Sequence, residues 1–189
     1  CDIITSKLSN KYNFVYVTQN GSIVEVLNEK NINYEIIEDL NCKEIKRVLK
    51  KYNPSIIHAH DYTASVICSL VKKRRYLIEH LHNNCPWLKK ICLKTVAFLY
   101  AGLRADKILT VSESIEEEYI FSKFFKNKID CIGNPISRKK IISRVNDLNC
   151  KKMYEICCVA RLTKQKNPFK FLEIISELKK EFKDIKVVW

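Results

Sequence analysis

Val159-Ala160-Arg161-Leu162-Thr163-Lys164-Gln165-Lys166-Asn167-Pro168 joins an apolar run to a helical pattern, and that junction marks an α/β protein. Upstream, Tyr154–Ala160 reads as a buried strand. Downstream, Asn167 is suited to cap a helix and Pro168 to occupy its first turn. Phe171, Ile174, Ile175, Leu178 and Phe182 then recur at helical spacing. Between strand and helix stand the cations Arg161, Lys164 and Lys166. A cationic loop entering a helix N-terminus suits an anion, because backbone N–H groups and the helix dipole favour negative charge and Arg adds a forked donor set. On spacing alone, a solvated basic loop is an equal reading.

The same alternation extends upstream. Strands are expected at Phe14–Val17, Tyr34–Ile37, Ser55–Ala59, Tyr76–Leu81, Lys107–Val111 and Ile129–Ile132. Helical patterns fall between them: through Ile23, Val26 and Leu27, through Ile45, Val48, Leu49 and Tyr52, over Tyr62–Lys72, and along one long segment from Trp87 to Arg104. Pro54 ends the second. Ser114 and Glu117 form a capping box for a further helix. Short apolar strands alternating with helices imply parallel βαβ units with helices on both faces. Ligands in such sheets sit beyond the carboxyl ends of the strands.

Ser137–Lys152 breaks the rhythm, being basic and polar without a sustained period. The expected organisation is therefore a Rossmann-like domain over 1–136, a linker over 137–152, and the first βαβ unit of a second Rossmann-like domain over 153–189.

The composition is that of a folded globular protein: 47% of the 189 residues are hydrophobic and 29% charged. A formal charge of +13 favours an anionic partner, but the lysines are spread along the whole chain, as on a solvated surface. No helix-turn-helix, zinc-finger or aromatic RNA-binding signature accompanies the charge, so a nucleic-acid partner is not expected. There are nine cysteines, with Cys68, Cys92, Cys157 and Cys158 inside apolar runs and no CxxC pair, which fits reduced thiols in a cytoplasm. No apolar run is long enough to cross a bilayer. The chain opens on Cys1 and stops at Trp189 just after a strand-like run, which reads as a fragment cut through structure.

All four histidines fall at two strand ends, in His58-Ala59-His60-Asp61 and His80-Leu81-His82. Residues two apart on a strand share a face. An HxH pair there fits metal ligation, and a metal-dependent hydrolase is the alternative function. No Asp or Glu is obviously placed to complete such a site, and polar residues satisfied at strand ends are the plainer reading. His82 differs, because Asn83, Asn84 and Pro86 follow it as a loop. A histidine there can move a proton or bond a sugar hydroxyl or phosphate.

Read in order, these segments resemble the family 4 glycosyltransferases of the GT-B fold. Pro54-Ser55-Ile56-Ile57-His58-Ala59-His60-Asp61 looks like that family's strand ending in HAHD. Leu77-Ile78-Glu79-His80-Leu81-His82-Asn83 is similar to its strand ending in a cleft histidine. Ala105-Asp106-Lys107-Ile108-Leu109-Thr110-Val111-Ser112, Ile132-Gly133-Asn134-Pro135-Ile136, and Val159-Ala160-Arg161-Leu162 with Lys166-Asn167 each resemble a family segment in its proper place. Ala160 and Pro135 stand where the family usually has Gly.

The resemblance implies a retaining glycosyltransferase of hexosyltransferase type. The donor is a nucleotide-diphosphate sugar, and the acceptor a glycan or lipid-linked glycan of surface-polysaccharide synthesis. It implies no metal and no other cofactor. By position, Arg161 and Lys166 hold the donor diphosphate and His82 is the catalytic cleft histidine. It also implies that a first strand precedes residue 1 and that an acidic donor-binding element lies past Trp189. The fragment is therefore expected to be inactive alone. The expected location is cytoplasmic, with peripheral contact to an acidic membrane face through the basic, amphipathic Trp87–Arg104 segment. A core-packed helix is the competing reading of that segment.

Overall fold

A computed structural model describes Leu8 and residues 11–136, 138–146 and 153–189. The chain divides into two compact units, Cys1–Ile136 and Ser137–Trp189. In the first, β1 (Tyr16–Thr18), α1 (Ile23–Glu29), β2 (Tyr34–Ile36), α2 (Cys42–Tyr52), β3 (Ile56–His60), α3 (Asp61–Val71) and β4 (Tyr76–Leu81) follow one another. α4 (Leu93–Arg104), β5 (Lys107–Thr110), α5 (Glu113–Glu118) and β6 (Ile129–Cys131) complete it. Every strand pair is parallel. β1 and β2 form one sheet, and β3-β4-β5-β6 form a second in that order.

Local chemistry sets the element ends. The Asn41 side chain accepts the Glu44 N–H at 3.0 Å and starts α2, while Asn53 turns left-handed at φ 41° and stops it before Pro54. α2 is tied to β2 through Glu35, which accepts from Arg47 at 2.5 Å, Lys51 at 2.6 Å and Tyr52 at 2.7 Å. Those bonds pull the Glu35 carboxyl down to about 2. At the amino end of the second sheet, Asp106 accepts from the Leu77 N–H at 2.8 Å and from Lys72 at 2.5 Å. It thereby fastens β4 and α3 to the start of β5.

Two sequence expectations are corrected in this unit. The long helix over Trp87–Arg104 is broken into a 3-10 turn, Pro86–Lys89, and α4. Thr95 causes the break: its hydroxyl bonds the Cys92 N–H at 2.8 Å and makes Cys92 a new helix cap. The cap of α5 is Ser112, which accepts the Ser114 N–H at 3.3 Å, whereas Ser114 lies inside the first turn. The residue leaving β5 takes the cap because it is still extended, at φ −154°.

The buried clusters lie on one face of the four-stranded sheet. Ile45, Val48 and Leu49 of α2 and Cys68 and Val71 of α3 pack with Ala59 and Leu77. Phe98 and Ala101 of α4 and Ile115 of α5 pack with Leu81 and Ile108. Glu79 points into the same face, between Leu77 and Leu81, and is 0% exposed. Neither of its carboxylate oxygens has a hydrogen-bond partner among the described residues, and the same holds for the hydroxyls of Ser65 and Thr110. Burial pushes the Glu79 carboxyl up to about 8, against the pull of Lys128 and Lys72.

The second unit holds α6 (Arg138–Asn146), β7 (Ile156–Cys157), α7 (Pro168–Glu181) and β8 (Val187–Val188), with β7 and β8 parallel. Ser137–Lys152, expected to be a linker, thus carries a helix over most of its length. It contains no Gly or Pro to break one, and Lys and Arg are good helix formers. The strand expected over Tyr154–Ala160 shortens to two residues. No described residue of this unit is buried, and Val159, Leu162, Phe169 and Leu172 are exposed.

A carboxyl raised in the fold favours folding at low pH, below its unfolded value, and that contribution is lost as pH rises towards 8. Glu79→Gln removes the loss. Its stability relative to wild type should therefore rise by on the order of 4 kcal/mol between about pH 5 and about pH 8.5, measured by urea unfolding. A difference that does not change with pH would contradict this placement of Glu79.

Candidate functional site

β3 and β4 pair with His60 opposite His80. Strand alternation turns Ala59, Leu77, Glu79 and Leu81 into the core, so His58, His60 and His80 share the opposite face. His82 immediately follows β4. The register sets the histidines in two edge-to-edge pairs. His58 Nε2 lies 3.2 Å from His80 Nδ1, and His60 Nδ1 lies 2.8 Å from His82 Nε2. Ring planes within each pair differ by only 6° and 13°. The centroids, 5.3 and 5.1 Å apart, leave room for an in-plane N–H···N contact rather than face stacking. Along each strand the rings do overlap, at 4.4 Å for His58 with His60 and 4.2 Å for His80 with His82.

Each edge contact needs one ring to donate and the other to accept, so it is lost when both rings of a pair are charged. Burial, and then the neighbouring rings, pushes His58, His60 and His80 down to about 4. A second positive charge so close is disfavoured, and the half-buried rings lose hydration on charging.

The strand ends build outward from this array. Asp61 opens α3 with a left-handed backbone at φ 65°, an uncommon conformation for a residue with a side chain. Its carboxylate accepts the His82 N–H at 3.1 Å, which fixes the start of the loop after β4. The Tyr62 hydroxyl donates to the Asn83 carbonyl at 3.0 Å. The Asn84 amide reaches Ser114 at 3.1 Å, and Ser114 meets Ser112 at 2.7 Å. The carboxyl ends of β3, β4 and β5 thus share one polar network, where parallel sheets bind ligands. The sequence showed two separate HxH pairs. Their union, and the part played by Asp61, come from cross-strand pairing, and the one local signal was an Asp directly after a strand.

Arg161 and Lys166 belong to the second unit, in the segment from β7 to α7. Both are exposed, and no ion pair among the described residues engages either. Lys164–Lys166 forms a 3-10 turn. Asn167, left-handed at φ 47°, caps α7 by accepting the Lys170 N–H at 3.2 Å, and Pro168 fills the first turn. Thr163 N–H donates to the Arg161 carbonyl at 2.8 Å, closing the loop upon itself.

Two parallel α/β units with a polar network at the strand ends define a Rossmann-like protein of the GT-B type. The chain belongs to Glycosyltransferase Family 4, whose family model matches residues 14–140. The crystal structure of a glycosyltransferase from Rickettsia africae ESF-5 is similar over 94% of this chain and 52% of its own, at 17% identity and a TM-score of 0.60. The crystal structure of Anabaena Alr3699/HepE in complex with UDP and glucose is similar over 93% of this chain and 52% of its own, at 15% identity and a TM-score of 0.69. At such identities the likeness is one of fold, and the chain spans about half the length of these proteins. No curated protein sequence matches it.

A histidine depressed in the fold contributes stability above its unfolded value, near 6.5, and loses it as pH falls towards 4. Proton NMR of the imidazoles should show His58, His60 and His80 still neutral at about pH 5.5, where a free imidazole is mostly charged. Thermal stability should fall between about pH 6.5 and pH 4, and less steeply for His58→Gln/His80→Gln. Ordinary titration of all three rings would contradict the paired geometry.

Proposed function

We propose that this chain serves a glycosyltransferase moving a hexosyl group from a nucleotide-diphosphate sugar to a glycan or lipid-linked acceptor, as in surface-polysaccharide synthesis. The observation that carries the reading is the Family 4 match over residues 14–140. The similar fold of an Anabaena protein crystallised with UDP and glucose supports a uridine-type donor. In the reaction the bond from the anomeric carbon to the diphosphate breaks and one to the acceptor hydroxyl forms on the same face. The acceptor's proton leaves with the diphosphate.

Arg161 and Lys166 are proposed to hold that diphosphate and to offset charge as it leaves, a form of stabilisation that is often the largest catalytic contribution. Their side chains, which no ion pair engages among the described residues, stand beside a capped helix start and suit the task. His82 is proposed as the catalytic histidine beside the transferred sugar. The Asp61 bond to its backbone and its contact with His60 would hold the ring in place. No resident metal or other cofactor is assigned to the transfer, and no nucleic acid to its partners. A hydrolase built on the HxH pairs finds no support in the family match.

The proposed setting is the cytoplasmic side of an anionic membrane. α4 buries Phe98 and Ala101 but turns Leu93, Val96, Tyr100 and Leu103 outward along one stripe. Leu93 is 85% exposed and the preceding Ile91 78%. Lys89, Lys90 and Lys94 cluster at the same end. An apolar stripe beside cations suits acidic headgroups. Among the described residues no helix is long and apolar enough to cross a membrane.

In the full-length enzyme, Arg161→Ala/Lys166→Ala should weaken nucleotide-sugar binding by calorimetry by a factor on the order of 100, since each charge-assisted bond contributes about 1.5–3 kcal/mol. Undiminished binding would remove the donor-site assignment. Sedimentation with vesicles containing acidic lipid should show binding that weakens with added salt and is lost in Leu93→Asp. Equal binding to neutral vesicles would remove the membrane reading.

A further inference from the structure

The histidine array also has the form of a cation site, and this does not depend on the transfer reaction. We propose that His58, His60 and His80 together bind one late first-row divalent ion, of the zinc, nickel or copper type, as a site separate from catalysis.

The argument is geometric. One nitrogen from each of these three residues lies within 4.8 Å of the other two. Nitrogens bound to zinc at about 2.0–2.1 Å in a tetrahedron stand roughly 3.3 Å apart. His58 Nε2 and His80 Nδ1 already stand 3.2 Å apart, at the spacing of two nitrogens on one ion, and each ring must tilt by roughly 40° to turn its lone pair from the other ring to that ion. His60 needs only a shift of its ring. Its Nδ1 meets His82 Nε2 at 2.8 Å, the outer contact by which a metal-bound imidazole is oriented.

The scaffold favours the site. The three residues stand on adjacent paired strands, so their backbones are fixed by the ladder rather than by loops. His80 is buried, and with Nδ1 turned to the ion its Nε2 would carry the proton, a cost because that atom has no hydrogen-bond partner among the described residues. Neutral imidazoles alone, with no carboxylate among them, select late transition metals and reject magnesium and calcium, which prefer oxygen. Three protein donors also leave a fourth position open for water.

This departs from the simplest carry-over of the family, which predicts no metal at all, but it does not revive hydrolysis. An ion here would tie His60 and, through it, His82. Occupancy should therefore oppose rather than support any chemistry at His82.

The test is calorimetric titration of the purified, metal-stripped chain with zinc and nickel chloride, with magnesium chloride as control. One zinc or nickel ion per chain and no heat from magnesium are expected. His58→Ala/His80→Ala should lower the affinity by more than the roughly 10–100-fold cost of losing an outer-shell partner. Cobalt is the second readout in the unaltered chain, useful should the variant not fold. The imidazole resonances of His58, His60 and His80 should broaden or shift first, without a thiolate-to-cobalt charge-transfer band. Absence of binding, unchanged affinity in a folded variant, or a thiolate band placing the ion on cysteines would each overturn the proposal.

Discussion

Parallel pairing of β3 with β4, with His60 opposite His80, places everything at the strand ends. A slip of one residue along either strand would exchange its two faces. On β3 it would drive His58 and His60 into the core in place of Ala59. On β4 it would turn Ile78 and His80 toward the helices and release Leu77 and Leu81. The apolar members of that face, packed against α2, α3 and α4, oppose such a slip strongly. The register is thus set on the helix-covered side and expressed on the histidine side. Asp106 strengthens the choice from the other end, by holding the Leu77 N–H and Lys72 where β4 begins.

The same strand carries a cost. Glu79 occupies a position that packing alone would give to an aliphatic side chain, and the Ser65 and Thr110 hydroxyls are buried with it unpartnered among the described residues. The left-handed backbone of Asp61 lies one residue beyond β3. Unfavourable local choices of this kind gather where a fold is shaped for chemistry rather than for stability. Here Glu79, Thr110, Ser65 and Asp61 fall on β4, β5 and α3, elements whose carboxyl or amino ends make the polar network, although Asn31, Asn53, Lys73 and Asn167 also have positive φ elsewhere. The apolar contacts of Phe98, Leu77, Leu81 and Ile108, all almost wholly buried, offset that cost.

Much of this was legible in the sequence, for reasons that differ by element. Strand β4 was readable because Tyr76-Leu77-Ile78 opens it as an apolar run after Arg74-Arg75, and Leu81 continues the apolar face of Leu77 beyond Glu79 and His80. The Asn167–Pro168 helix start was readable because capping is local chemistry. The break before α4 was hidden because Thr95 takes over the Cys92 N–H, a choice invisible to hydrophobic periodicity. The helix Arg138–Asn146 was missed because its apolar residues, Ile141, Ile142 and Val145, are few and exposed, so no buried stripe advertised it. The union of the two HxH pairs was out of reach for a different reason. Spacing within a strand gives the face, while the partner across the ladder follows only from register.

The second unit shows how little tertiary packing a cationic loop needs to be defined. None of its described residues is buried, yet the turn into α7 is defined by contacts spanning a few residues. Thr163 bonds back to Arg161, Lys166 and Asn167 donate to the Thr163 carbonyl, and Asn167 caps the helix. Trp189 adds one longer tie, its indole N–H donating to the Ala160 carbonyl at 3.0 Å while its ring meets Phe171 edge-on. The positions of the cations therefore follow from neighbours in sequence, whereas the histidine array exists only through the pairing of strands twenty-two residues apart. A change that loosens the core of the first unit should disperse the histidines, while the loop from Arg161 to Pro168, held by bonds of its own, keeps its shape.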